Sequence, residues 1–118
     1  MRLLIAVIND PDRIDEAMSG FIELGITGAT VVNSEGMARV LSHDIPIFAG
    51  LQTLISGSRQ QNNIILSVIA KEKVPETFAL LQEVFGNFDA PATGIAFTLP
   101  VDQVVGLAPE LGGERSPI

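Results

Sequence analysis

Apolar residues follow two rhythms along this chain. Leu3-Leu4-Ile5-Ala6-Val7-Ile8 is an unbroken apolar run, the pattern of a central strand. It stops at Asn9-Asp10-Pro11. Asn or Asp there can cap a helix, and Pro11 suits its first turn. Ile14, Ala17, Met18, Phe21 and Ile22 then recur at helical spacing, and Gly25 takes the usual position of a helix stop. The spacing predicts a first helix over about 11–24. A second strand is expected at Ala29-Thr30-Val31-Val32, and a third at Ile64-Ile65-Leu66-Ser67-Val68-Ile69. A second helix is predicted to begin near Pro75, to carry Phe78, Leu81, Val84 and Phe85 on one face, and to stop at Gly86. The fourth strand is Ile95-Ala96-Phe97-Thr98-Leu99. Pro100 lacks an N–H and should mark a strand end or a sheet edge.

The predicted order is β-α-β-β-α-β. Two β-α-β halves of this kind pack as an α+β, ferredoxin-like fold: a four-stranded antiparallel sheet with both helices on one face. The other face then lacks a helical cover, yet the strands are apolar at nearly every position. That face is predicted to meet other subunits, so the chain is expected to form an oligomer. The domain should span residues 1–108. The tail over 109–118, with Gly112-Gly113 and Pro117, is expected to be mobile.

One segment breaks the pattern. Residues 34–62 join the second and third strands, whereas hairpin loops are commonly about 2–5 residues long. A connection of this length inside a small domain is usually functional. Ile47, Phe48, Leu51, Leu54 and Ile55 fall at helical spacing within it, between Pro46 and Gly57. They predict a short amphipathic helix at about 46–56, a candidate partner-binding element. Its apolar stripe has three candidate covers: the protein's own oligomer, another protein, or a membrane surface. The third is disfavoured by the lack of a basic polar face.

Composition narrows the function. Seven Lys/Arg against fourteen Asp/Glu give 118 residues a net charge of −7. That argues against a broad electrostatic grip on nucleic acid or an anionic bilayer. There is no cysteine, which excludes disulfides, thiolate catalysis and Cys-type metal centres. The Leu3–Ile8 run is too short for a signal-peptide core or a membrane span, so a cytoplasmic protein that is not membrane-embedded is expected. With no Trp or Tyr, only Phe and His could stack on a nucleobase.

Few residues suggest bond chemistry, and no enzyme is predicted. His43 is the sole histidine. Ser42-His43-Asp44 resembles a triad in one dimension only, because adjacent residues point in different directions. A metal site on His43 and Asp44 lacks further ligands at a recognisable spacing. Asp10, Asp12, Asp15 and Glu16 suit the start of a helix, where carboxylates meet its positive end. The turn from Phe85 to Gly94 and the stretch Ser56-Gly57-Ser58-Arg59 are weak anion-binding candidates with ordinary turn chemistry. Gly36 and Arg39 follow the second strand, where a cation could hold a phosphate or carboxylate or make a surface ion pair. No cofactor can be named from these residues.

Gly25-Ile26-Thr27-Gly28-Ala29-Thr30-Val31-Val32, followed by Gly36-Met37-Ala38-Arg39, resembles the P-II nitrogen regulatory protein family. So does Gly94-Ile95-Ala96-Phe97-Thr98-Leu99-Pro100-Val101 with Asp102-Gln103-Val104-Val105. The resemblance covers residues 2–107. It implies a homotrimeric signalling protein that binds adenine nucleotides or another small effector in clefts between subunits. The long connection, the family's T-loop, would report the ligand to a protein target. Val7, Thr30, Gly36 and Arg39 would line the cleft, and Gly94 would end the family's B-loop. The chain departs from the family at Ala38, Val40, Ile95, Gly106 and Ala108, where a glycine, a glutamine, a lysine and two arginines are expected. Losing several charge-assisted contacts, each typically about 1.5–3 kcal/mol, should weaken a family-type ATP mode. The alternative is a divalent-metal-binding trimer like the CutA-type proteins, which share the fold, with His43, Asp44 and acidic residues as ligands.

Overall fold

The computed structural model describes residues 1–35, 61–90 and 93–108. Strand β1 (Arg2–Ile8) leads through a 3-10 turn (Pro11–Arg13) into helix α1 (Ile14–Glu23). Strands β2 (Thr30–Glu35) and β3 (Gln61–Ile69) follow. A second 3-10 turn (Lys71–Lys73) opens helix α2 (Val74–Phe85), and β4 (Gly94–Pro100) closes the sheet. The strands lie in the order β2-β3-β1-β4 with every neighbouring pair antiparallel. This is the α+β, ferredoxin-like arrangement expected from the hydrophobic pattern.

Local chemistry explains the helix ends. Asp10 accepts the Asp12 N–H at 3.2 Å, capping the first 3-10 turn ahead of Pro11. Asp15 and Glu16 sit in the first turn of α1 and complement its positive end. At the other end Gly25, with φ 86°, donates its N–H to Ile22 O, and Ile26 N–H reaches Phe21 O at 2.8 Å. That pair of bonds is a Schellman stop, and the side chains of Ile26 and Phe21 both join the core. Gly86, with φ 98°, ends α2 where the spacing placed its stop.

The core lies on one side of the sheet. Leu4, Ala6 and Ile8 of β1 and Ile65 and Ile69 of β3 alternate inward and are fully or almost fully buried against Phe21 and Leu81 of the helices. Gly20 lets α1 come close to α2, because a Cβ there would meet Leu80 Cδ1 at 2.5 Å. Each helix also closes the other's end. Arg13 Nη1 donates to Val84 O at 2.8 Å, and Lys73 Nζ donates to Leu24 O. These carbonyls belong to last turns, which lack intrahelical donors.

The first helix, expected over about 11–24, is α-helical only from Ile14 to Glu23, and two strand boundaries shift by three residues each. The second strand continues past Val32 to Glu35, and the third begins at Gln61 rather than Ile64. The ladder therefore pairs Asn33 with Asn63, Ser34 with Asn62 and Glu35 with Gln61. The connection expected over 34–62 thus covers residues 36–60. The extension is polar, so hydrophobic pattern did not mark it. It is held by side chains as well as ladder bonds: Asn63 Nδ2 donates to Asn33 Oδ1 at 2.8 Å, and Ser34 Oγ donates to Asn62 O at 3.3 Å. Pro100 is the last residue of an edge strand, satisfying both expectations for it. The expected loop helix at about 46–56 and the tail over 109–118 lie outside the described residues.

Candidate functional site

The face of the sheet away from the helices carries three apolar rows. Register places Leu99, Leu3 and Val68 side by side. Phe97, Ile5 and Leu66 form the second row and end at Thr30, while Ile95, Val7 and Ile64 form the third and end at Val32. No described helix covers them. Ile95 is 57% exposed, Leu99 46%, Val32 42% and Phe97 39%. Contiguous apolar patches of this kind are uncommon on monomers and mark contact surfaces. The helix layer is opposite in character: Asp15, Glu16, Glu23, Glu76 and Glu83 are all exposed on α1 and α2. The described fold is thus a slab with one acidic and one apolar face.

A cavity of about 440 Å³ lies at one end of this slab. Its walls come from the stretch Ile26–Thr30 leading into β2, the end of β3 from Leu66 to Ile69, the start of β1 and the segment Val104–Ala108. The last segment leaves the far edge strand and returns to the β2 side, where Gly28 lets it close: a Cβ on Gly28 would lie 2.8 Å from the Cβ of Ala108. Ser67 Oγ donates to Gly28 O and fixes the Ile26–Thr30 stretch against β3. Gly106 turns the segment with φ 82°.

The sequence-predicted ligand residues divide between the two ends of the sheet. Thr30 lines the cavity. Val7 and Gly94 sit together at the opposite end, where β1 finishes and β4 begins. A Cβ on Gly94 would fall 2.5 Å from Val7 O, so glycine is required there by close packing. Within one chain, then, these residues do not form a single pocket. Gly36 and Arg39 lie outside the described residues, as do the loop positions Ile47, Phe48, Leu51, Leu54 and Ile55. Ser67 was not singled out from sequence, whereas Val104, Val105, Gly106 and Ala108 were named there only through the family resemblance. The available signal was Gly28, a small residue ahead of a strand, together with the apolar pair Val104-Val105 after Pro100.

Asp10 is engaged with the 3-10 turn backbone, and its Oδ2 stands 3.9 Å from Arg13 Nε. The acidic cluster therefore fits its helix-start role. Among the described residues no group of three His, Cys, Asp or Glu side chains gathers in a way that could hold a metal ion. His43 and Asp44 lie outside them. No helix among the described residues is long and apolar enough to cross a membrane. A scan against family models finds no match to this chain, and a search of curated proteins finds none either.

Proposed function

We propose that this chain is a P-II-like regulatory protein: a homotrimer that binds a small effector and signals through residues 36–60. The observation that carries the reading is an apolar sheet face, uncovered by any described helix, on a ferredoxin-like fold whose β2–β3 connection is far longer than a hairpin requires. A closed assembly with the sheets turned inward would cover Phe97, Ile95 and Leu99 and leave the acidic helices in water. In such an assembly Thr30 of one subunit and the Val7–Gly94 end of another can contribute to a shared cleft, which one chain alone cannot form. Binding would shift the population of conformations of the long connection, whose expected apolar stripe from Ile47 to Ile55 would engage a protein target. Adenine nucleotides are the effectors the resemblance implies. The missing cationic positions argue that they bind less tightly than in the family.

Light scattering on the eluting protein tests the assembly, with three chain masses expected and one chain mass overturning it. Thermal unfolding against ATP, ADP, AMP, cyclic AMP, 2-oxoglutarate and bicarbonate tests the sensor. A ligand at 100 times its dissociation constant adds about 2.7 kcal/mol and a readable rise in Tm. No rise with any of them overturns this effector set.

A further inference from the structure

We infer that Val105 is a subunit-contact residue: it packs on the Val7–Ile95 end of the open sheet face of a second copy of this chain. The inference rests on the closed assembly proposed above and names a contact that holds it together.

Two apolar surfaces lie at opposite ends of the sheet, and neither covers the other. The first is the segment after β4. Val105 is 100% exposed, and Val104 and Leu107 beside it are exposed too. The backbone there is anchored on both sides. Val101 N–H donates to Met1 O at 3.1 Å before it, and Ala108 closes on Gly28 after it. A cluster of apolar side chains held in water on a fixed backbone marks a contact surface. The second surface is the row of Ile95, Val7, Ile64 and Val32. The cavity sets Val104–Ala108 against Leu3, Leu66 and Val68, which belong to the other two rows. The chain's own segment therefore leaves the Val7 row open.

Distance keeps the two surfaces apart within one chain. Ile95 and Leu99 are separated by about 13 Å of strand, and the segment lies at the Leu99 end. Charge then selects the receiving surface on a second copy. The helix layer exposes the carboxylates of Asp15, Glu16, Glu23, Glu76 and Glu83, which would lose water against a valine. Neither the Val7 row nor Val104–Ala108 carries a charge. Because unlike ends meet, each copy gives the contact once and receives it once, and a ring about one axis satisfies every copy. The same contact brings Thr30, which shares the cavity with Val105, beside the Val7–Gly94 end of the neighbour.

The chain has no cysteine, so an introduced pair reports the contact directly. A disulfide needs Cα atoms within about 7 Å, which rules out a bond between positions 95 and 105 of one chain. Val105→Cys with Ile95→Cys should therefore link chain to chain on oxidation at micromolar concentration. Species of up to three chains are expected on a non-reducing gel, at least tenfold faster than with either single variant. In sedimentation over a dilution series, Val105→Asp should raise the dissociation constant of the assembly at least tenfold. In the Phe97→Asp background the same change should leave the urea midpoint of the single chain unaltered, because Val105 is fully exposed there. Failure of the pair to link, with three chain masses retained under reductant, overturns the inference and leaves the assembly standing. Linking by Val105→Cys alone at the same rate also overturns it, since like ends would then meet. An unchanged dissociation constant in Val105→Asp does so as well. One chain mass for the unaltered protein sinks the assembly itself, and this contact with it.

Discussion

Two basic residues join the helices by the same device used twice. Sixty positions separate Arg13 from Lys73 and Leu24 from Val84, so the two bonds are related by the internal symmetry of the β-α-β halves. Each places a cation on the negative end of the opposite helix. Hydrogen bonds to charged groups contribute about 1.5–3 kcal/mol when well shielded, but the Arg13 side chain is 56% exposed and its bond should fall below that range. Lys73 is the less exposed of the two. Urea unfolding of Lys73→Met should therefore show a loss of about 1–2 kcal/mol, and Arg13→Ala a smaller one. The double variant should be close to additive, because the bonds sit at opposite ends of the helix pair. A second contrast concerns the glycines. At Gly94 a Cβ would strike backbone, Val7 O, at φ 153°, so Gly94→Ala should destabilise by about 2–4 kcal/mol. At Gly20 the obstacle is the flexible Leu80 side chain, and alanine gains about 1 kcal/mol of helix propensity. Gly20→Ala should consequently change the urea midpoint far less than Gly94→Ala.

At the scale of elements, legibility followed hydrophobicity. Helices with Gly25 and Gly86 as stops and strands with unbroken apolar runs were readable, because burial of one face dictates their period. Asn33, Ser34, Gln61 and Asn62 were not readable as strand, because amide pairing and ladder bonds extend the hairpin where no apolar surface is at stake. The cavity was hidden for another reason. Ser67 and Val104 are distant in sequence, and only the return of the last segment to Gly28 brings them together. Thr30 could be proposed only through the family resemblance of the Gly25–Val32 stretch, while its contact with Ser67 and the last segment needed tertiary structure. The extended hairpin carries its own prediction. The ladder closes at Glu35 and Gln61, so the described fold does not need the long connection to set its register. Replacing residues 37–59 with a four-residue Gly/Ser turn should retain the far-UV circular dichroism of the sheet and both helices. Shortening the closed loop should also raise unfolding stability by about 1–2 kcal/mol on loop-closure grounds. A large loss of stability would show that the connection is part of the core.

For the whole molecule, the decisive property is the separation of its two faces. The helix layer carries exposed carboxylates, and the open sheet face carries three apolar rows with no charged side chain in register. Head-to-tail stacking would press acidic helices onto aliphatic strands and strip those carboxylates of water without a partner. Assembly with the sheet faces turned inward about a common axis avoids this and leaves no free apolar face, which favours a small closed ring over a filament. Phe97 lies in the middle row, paired with Ile5 on β1, and is 39% exposed, so its replacement tests the interface with little cost to the core. Phe97→Asp should convert the oligomer to single chains at micromolar concentration, seen by light scattering, while the helix signal in far-UV circular dichroism persists. Glu83→Lys on the helix layer changes charge by two units, against one for Phe97→Asp, yet it should leave the mass unchanged, because that surface faces water when the sheets turn inward. If Glu83→Lys dissociates the assembly and Phe97→Asp does not, the sheets are not the contact surface.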